Sequence, residues 1–187
     1  MHAETNPPDA ESVARWQLRP AVESDFPALW ALDQVCFAPE LAYSRRELRE
    51  LMSARGGAAW LAERRPPAPA AAASPGPALP SGGTLLGFIV VHAGGAAGHV
   101  ITLDVAPACR RQGIGAALLE IGERYCRRRG AARMRLETAV DNQPAQRFYA
   151  RHGYRAVRRL RGYYSRELDA WLLEKPLAAA HESTDGS

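Results

Sequence analysis

Residues 104–120, DVAPACRRQGIGAALLE, pass from an apolar extended stretch through a basic, glycine-bearing turn into an apolar helical stretch. This segment constrains the fold more than any other. The preceding HVITLDVAP reads as a strand, rich in β-branched residues. From Gly113 to Arg129, Ile114, Leu118, Ile121 and Tyr125 recur at helical spacing, and Gly130 follows as a stop signal. Inside the turn, glycines let backbone approach a ligand closely. The helix start offers unpaired N–H groups and the positive end of its dipole. Arg110 and Arg111 add charge beside them. Together these features suit a phosphate or pyrophosphate, although an ordinary helix start with a glycine turn would read the same at this level. The spacing is neither GxxxxGK[ST] nor GxGxxG after a first strand, so nucleoside-triphosphate and dinucleotide loops are set aside.

The flanking chain supplies the other elements. WQLRPA (16–21) reads as a short strand and ESDFPALWALDQVCF as a helix, with Phe26, Leu29, Trp30, Leu32 and Val35 at helical spacing. Ser44 and Glu47 form a capping box for a second helix, SRRELRELM. AAWLAE (58–63), TLLGFIVVHA (84–93) and ARMRLETAV read as strands. In the last of these, Met134 and Leu136 alternate with Arg133, Arg135 and Glu137. Residues 142–152 form a short helix capped by Asn142 or Asp141, with Pro144 in its first turn. YRAVRRL and RELDAWLLEKPL close the chain as strands. The order is β-α-α-β-β-β-α-β-α-β-β, one α/β domain over 14–177. Residues 64–83 are rich in Pro and Ala and are expected to be a mobile loop between two strands, with nothing large to bury. The tails 1–13 and 178–187 are expected to be disordered.

Charge and cysteine usage narrow the function. Residues 110–161 hold fourteen arginines against four acids, while 21–50 hold six acids against three arginines. A basic half suits nucleic acid or a polyanionic cofactor. Few aromatics interleave with the arginines and no nucleic-acid motif occurs, which argues against nucleic acid. Cys36, Cys109 and Cys126 fit neither a zinc site nor a disulfide framework, and the five histidines make no metal-ligand cluster. With no run of eighteen apolar residues and no signal-peptide pattern, no membrane association is expected and the cytoplasm is the default compartment.

The heptapeptide Arg110–Ala116 resembles the R/Q-x-x-G-x-G/A signature of the GNAT acetyltransferase superfamily. DNQPAQRFYARHGY (141–154) resembles that family's later motif: an asparagine, an aromatic pair, then a glycine-aromatic turn. The resemblance extends over roughly residues 16–176. Within the superfamily the chain is most similar to the ribosomal-protein-alanine N-acetyltransferases and related protein N-terminal acetyltransferases. Glu137 stands twelve residues before Tyr149, as a strand-borne glutamate and helix-borne tyrosine do in that group. GYY at 162–164, Asp169 with AWLLEKPL, and AYS at 42–44 match further segments. A Trp-Ser pair is frequent in that group where this chain has Tyr43-Ser44.

The resemblance implies a mixed, mostly antiparallel seven-stranded sheet flanked by about four helices. It also implies acetyl-CoA as co-substrate, no metal, and a peptide or protein N-terminus as partner, a ribosomal protein among them. Backbone groups of Leu103, Asp104 and Val105 would hold the pantetheine arm, as a sheet edge holds an added strand. Arg111, Gln112, Gly113, Ile114, Gly115 and Ala116 would cradle the pyrophosphate, and Asn142 would bond the pantetheine amide. Glu137, through a water, would be the base, and Tyr149 would donate a proton to the departing thiolate. A backbone N–H near Val105 would meet the oxyanion. Tyr43, Tyr163 and Tyr164 would line the peptide slot.

Each role has a plainer alternative. Asn142 can be a helix cap, Glu137 a surface charge paired with Arg133 or Arg135, and Tyr149 a buried aromatic. The three slot tyrosines can be packing. His99 is a lone strand histidine that reads as core or edge, with a second base as its functional alternative. Cys109 reads as a spectator. The leading expectation is acetyl transfer to a protein α-amine. Acetylation of a small-molecule amine and a non-catalytic acyl-CoA sensor are the competing ones.

Overall fold

The computed structural model describes residues 16–64, 76–165 and 167–177. The two tails and residues 65–75 of the Pro/Ala-rich segment lie outside the described residues. The elements are β1 (Gln17–Pro20), α1 (Phe26–Cys36), α2 (Arg45–Ser53), β2 (Gly57–Arg64), β3 (Thr84–Gly94), β4 (Ala97–Val105), α3 (Ile114–Arg128), β5 (Arg133–Ala139), α4 (Gln143–Arg151), β6 (Arg155–Ser165) and β7 (Leu168–Pro176). The strands form one seven-stranded sheet in the order β1-β2-β3-β4-β5-β7-β6. All neighbours are antiparallel except β4 and β5. This is the expected mixed sheet with four helices.

Local chemistry sets the helix ends. Ser44 Oγ accepts the Glu47 N–H at 3.3 Å while Glu47 Oε2 accepts the Ser44 N–H at 2.9 Å, a reciprocal capping box. Asn142 Oδ1 accepts the Ala145 N–H at 3.1 Å. The core is made of β3, buried from Leu85 to Val91, against Ile114, Leu118, Leu119 and Cys126 of α3 and Phe26, Leu29 and Leu32 of α1. Ile121 and Tyr125, expected on the core face of α3, flank it half-buried, Tyr125 meeting Trp60 edge-on at 5.0 Å.

Two expectations change. The segment expected to have nothing large to bury seats one side chain within residues 76–83. Leu79 is buried in the core, Ala78 bridges Thr84, and a turn closes through Leu79 N–H to Gly83 C=O at 2.8 Å. One leucine and a few paired backbone groups suffice to fasten the segment. Strand β6 also runs on past Leu160 to Ser165, so the Tyr163–Tyr164 pair lies on a strand. Asp169 of β7 holds this extension: Oδ1 accepts the Gly162 N–H at 2.7 Å and Oδ2 accepts Arg159 Nε at 2.7 Å.

The parallel pair creates the site. β4 and β5 are joined only at Ala97–Arg133, Gly98–Met134 and His99–Arg135. Beyond His99 the strands part, while β5 stays paired to β7 along its whole length. The sheet is therefore two wings joined at one end, with a wedge between them.

Candidate active site

The wedge is a cleft of about 140 Å³. Leu103, Asn142, Tyr149, Tyr43, Glu137 and Tyr164 all line it. Six residues singled out from sequence thus meet in one cavity. Tyr163 does not line it but meets the Tyr164 ring edge-on at 4.9 Å and is half-exposed at its rim.

Glu137 projects from β5 into the wedge. Its Oε2 lies 2.6 Å from His99 Nε2 of β4. With the carboxylate ionised the ring nitrogen is the donor. Tyr163 also hydrogen-bonds the Glu137 side chain, and the Tyr164 hydroxyl donates to the Glu137 carbonyl at 3.4 Å. Arg133 instead reaches Glu174 at 3.8 Å. The alternative in which Glu137 is a surface charge paired with an arginine is therefore not what the fold builds. His99, read as a lone core or edge residue, is brought to Glu137 where β4 and β5 begin to part. Alternation along each strand was legible, but the register between strands separated by α3 was not.

Tyr149 is buried on α4, edge-on to Phe148 at 5.1 Å and Tyr154 at 5.4 Å. Burial first, then the nearby Asp104 charge and Tyr164, push its hydroxyl well above the usual phenol range. The phenol keeps its proton through the physiological range and can only donate or accept hydrogen bonds there.

The β4 edge explains which backbone groups face the cleft. Ala106 N–H donates to Leu86 C=O at 2.8 Å, and Leu103 and Val105 stand opposite Ile89 and Gly87. Antiparallel alternation then turns the polar groups of Asp104 to β3 and those of Leu103 and Val105 to the wedge. The Val105 carbonyl already accepts Arg110 Nε at 3.2 Å and the Cys36 thiol at 3.5 Å. What remains is the Leu103 N–H and C=O and the Val105 N–H. Asp104, expected among the backbone ligands, belongs to the β3 ladder. Its carboxyl is buried, accepting the Thr102 hydroxyl at 2.9 Å.

The turn before α3 is shaped for an anion. Arg111 has φ 63° and Gly113 φ 80°, the first being the sole left-handed non-glycine among the described residues. Left-handed residues in such a turn fold successive N–H groups into a concave nest. The first N–H of α3 bonded within the helix is Ala117, to Gly113 C=O at 3.0 Å, which leaves the preceding amides for another partner. A methyl built on Gly115 would meet Phe148 at 3.5 Å and Val105 at 3.6 Å, ordinary contacts. The protein's own packing does not demand glycine there. Asn142 spends Oδ1 on its cap, which leaves Nδ2 as its donor toward the cleft it lines. Nest, strand edge and cleft therefore fit an elongated thioester cofactor with a pyrophosphate at one end.

The Tyr43 hydroxyl donates to Ile101 C=O at 3.3 Å, and burial pushes that phenol up to about 12. Phe37 and Leu41, not singled out from sequence, line the same cleft. Their apolar side chains fit a helix-end or loop pattern equally well, so no sequence signal separates them from packing.

The chain belongs to the acetyltransferase (GNAT) family, whose model matches residues 27–154. Members of this family transfer acetyl from acetyl-CoA. Over 81 residues the chain is 38% identical to the N-alpha-acetyltransferase of Sulfurisphaera tokodaii, covering 43% of this chain and 48% of that protein. The chain spans about half the length of the curated relatives it matches. Its fold is similar to the ribosomal-protein-S18-alanine N-acetyltransferase of Escherichia coli, with TM-score 0.71 and 20% identity over 90% of this chain and 97% of that one. It is also similar to a nourseothricin acetyltransferase, with TM-score 0.64 and 21% identity over 87% and 98%. Among the described residues, no helix is long and apolar enough to cross a membrane.

Proposed function

We propose that this chain transfers acetyl from acetyl-CoA to the α-amine of a protein N-terminus, by direct attack in a ternary complex in the cytoplasm. The observation that carries the reading is Glu137, an acid held by His99 and Tyr163 inside the wedge, with Tyr149 lining the same cleft. The relatives named N-alpha-acetyltransferase support the same acceptor.

When bound, acetyl-CoA supplies an activated acetyl group as a thioester. Leu103 and Val105 present the strand-edge groups that hold its arm, and residues Arg111 to Ala116 the nest for its pyrophosphate. An α-amine has a pKa of about 7.7–8.0, so a substantial minority is neutral near pH 7. Glu137, through a water, takes the amine proton, and His99 orients the carboxylate by its hydrogen bond. Tyr149, protonated, stabilises charge on the departing sulfur by hydrogen bonding. The Val105 N–H faces the place where the carbonyl oxygen gains charge. Tyr43, Tyr163 and Tyr164 frame the peptide entry. A ribosomal-protein N-terminus is the first acceptor to test.

The test is acetyl-CoA-dependent thiol release with free N-terminal peptides, an Ala-Arg-starting peptide among them, beside polyamines and aminoglycosides. Selective turnover of peptides is expected. Turnover of the small amines alone would transfer the assignment to them, and tight acetyl-CoA binding without any turnover would favour a sensor.

A further inference from the structure

Between α1 and α2 the chain carries Phe37, Leu41 and Tyr43 to the cleft. Tyr43 is gripped from one side. Its N–H donates to Asp33 Oδ2 at 2.9 Å. Its carbonyl accepts Trp30 Nε1 at 3.2 Å and Gln34 Nε2 at 2.9 Å. Gln34 Nε2 also donates to Asp33 Oδ2 at 3.1 Å, so two members of the grip hold each other. Residues 30, 33 and 34 form one stripe of α1. The far end of Tyr43 rests on Ile101 of β4. One residue thus bridges α1 and the wall of the cleft.

Asp33 is an unusual choice for a mere loop tie. It is 0% exposed, and its Oδ1 is buried without a partner. Asp104, 1% exposed on β4, lies near it with its own unpartnered Oδ2, and burial first and then Asp33 push its carboxyl up against the Thr102 bond and Arg110. No arginine or lysine hydrogen-bonds either carboxylate among the described residues. Burying a carboxylate without a cation is costly, and the bonds to Tyr43 and Gln34 are what offsets it.

We infer that Asp33 is a positioning residue which, with Trp30 and Gln34, clamps the backbone of Tyr43 and so sets the acceptor end of the cleft. This rests on the reading that Tyr43 faces the acceptor. The clamp's hydrogen bonds run from Trp30, Asp33 and Gln34 to Tyr43 and from Tyr43 to Ile101 and reach none of the donor groups at Leu103, Val105 and Arg111–Ala116, so loosening it weakens acceptor binding and spares acetyl-CoA.

Steady-state kinetics with each substrate varied will separate the two. Asp33→Ala is expected to raise the peptide KM about tenfold or more, the effect of losing a hydrogen bond to a charged group. The acetyl-CoA KM, and its Kd by calorimetry, should stay within about twofold. Asp33→Asn keeps an oxygen for the Tyr43 N–H and should bring the peptide KM back to within about threefold. Gln34→Ala, at an exposed position, should raise it roughly two- to fourfold and serves should Asp33→Ala fail to fold. Amide exchange at Tyr43, measured without substrates, should quicken about tenfold in Asp33→Ala and stay slow in Asp33→Asn. An unchanged peptide KM, or an equal rise for both substrates, overturns the clamp. If the wild type acetylates no peptide, the acceptor reading fails, and exchange alone decides: faster exchange at Tyr43 upholds the clamp and unchanged exchange overturns it.

Discussion

Glu137 is the residue on which the proposed chemistry turns, because its carboxylate is partnered by a histidine and a phenol, not by an arginine. His99 and Tyr163 fix the direction in which the carboxylate meets a water in the cleft, which is the geometry that base catalysis needs. Glu137→Gln preserves size and hydrogen bonding and removes the base. It is expected to lower kcat about a hundredfold while acetyl-CoA binding, read by calorimetry, is unchanged. Loss of binding in parallel with kcat would mark Glu137 as packing. Glu137 and Tyr149 were legible in the sequence because strand alternation and a fixed separation carried by the family resemblance both single them out. His99 was not, because a partner on another strand depends on register. The backbone assignment of Asp104 failed for a similar reason. Which edge a residue's N–H and C=O face is set by the ladder, here fixed by the Ala106–Leu86 bond, and no side chain announces it.

At the scale of elements, caps and periodicity were legible wherever the chain states them locally. Ser44 and Glu47 mark one helix start by reciprocal bonds, and Asn142 marks another by accepting the Ala145 N–H with Pro144 in the first turn. The extent of β6 and the fastening of 76–83 were not, since both depend on distant groups, Asp169 for one and a core seat for Leu79 for the other. Helix α1 hides another cost of that kind. Burial raises the Asp33 carboxyl from 3.8 to about 6, against the Tyr43 and Gln34 bonds that lower it. Between these values the folded chain binds more protons than the unfolded chain. Stability therefore falls as pH rises through the window, by about 3 kcal/mol from this group, and stays lower above it. Asp33→Asn removes that titration. Relative to the wild type it should gain about 5–10 °C in Tm at pH 8 and close to nothing at pH 4. Thermal melts at both pH values check this, and an equal offset at each would mean that Asp33 does not titrate across the window.

For the whole molecule, the decisive feature is the joint at which the two wings of the sheet meet. Only three residue pairs of β4 and β5 join them, and α3 crosses over that joint. Gly98 sits at its centre, paired with Met134. A methyl there would lie 2.5 Å from Met134 Sδ and 2.6 Å from Cys126 Cβ, so strand, strand and helix touch at a point with no room for a side chain. Gly115, at the open end of the wedge, has only ordinary contacts around it. The two glycines thus make opposite predictions under the same substitution. Gly98→Ala should destabilise the chain by about 1–3 kcal/mol through overpacking. Gly115→Ala should leave Tm unchanged or slightly raised, since a helix gains about 0.5–1 kcal/mol from alanine, yet weaken acetyl-CoA binding by about tenfold or more because a side chain at the start of α3 hinders the close backbone approach that a bound pyrophosphate needs. Denaturant melts and calorimetry on the two variants read both quantities. A Gly115→Ala chain that binds acetyl-CoA normally would mean that the nest does not hold the pyrophosphate. The wedge would then have to take its cofactor by the β4 edge alone.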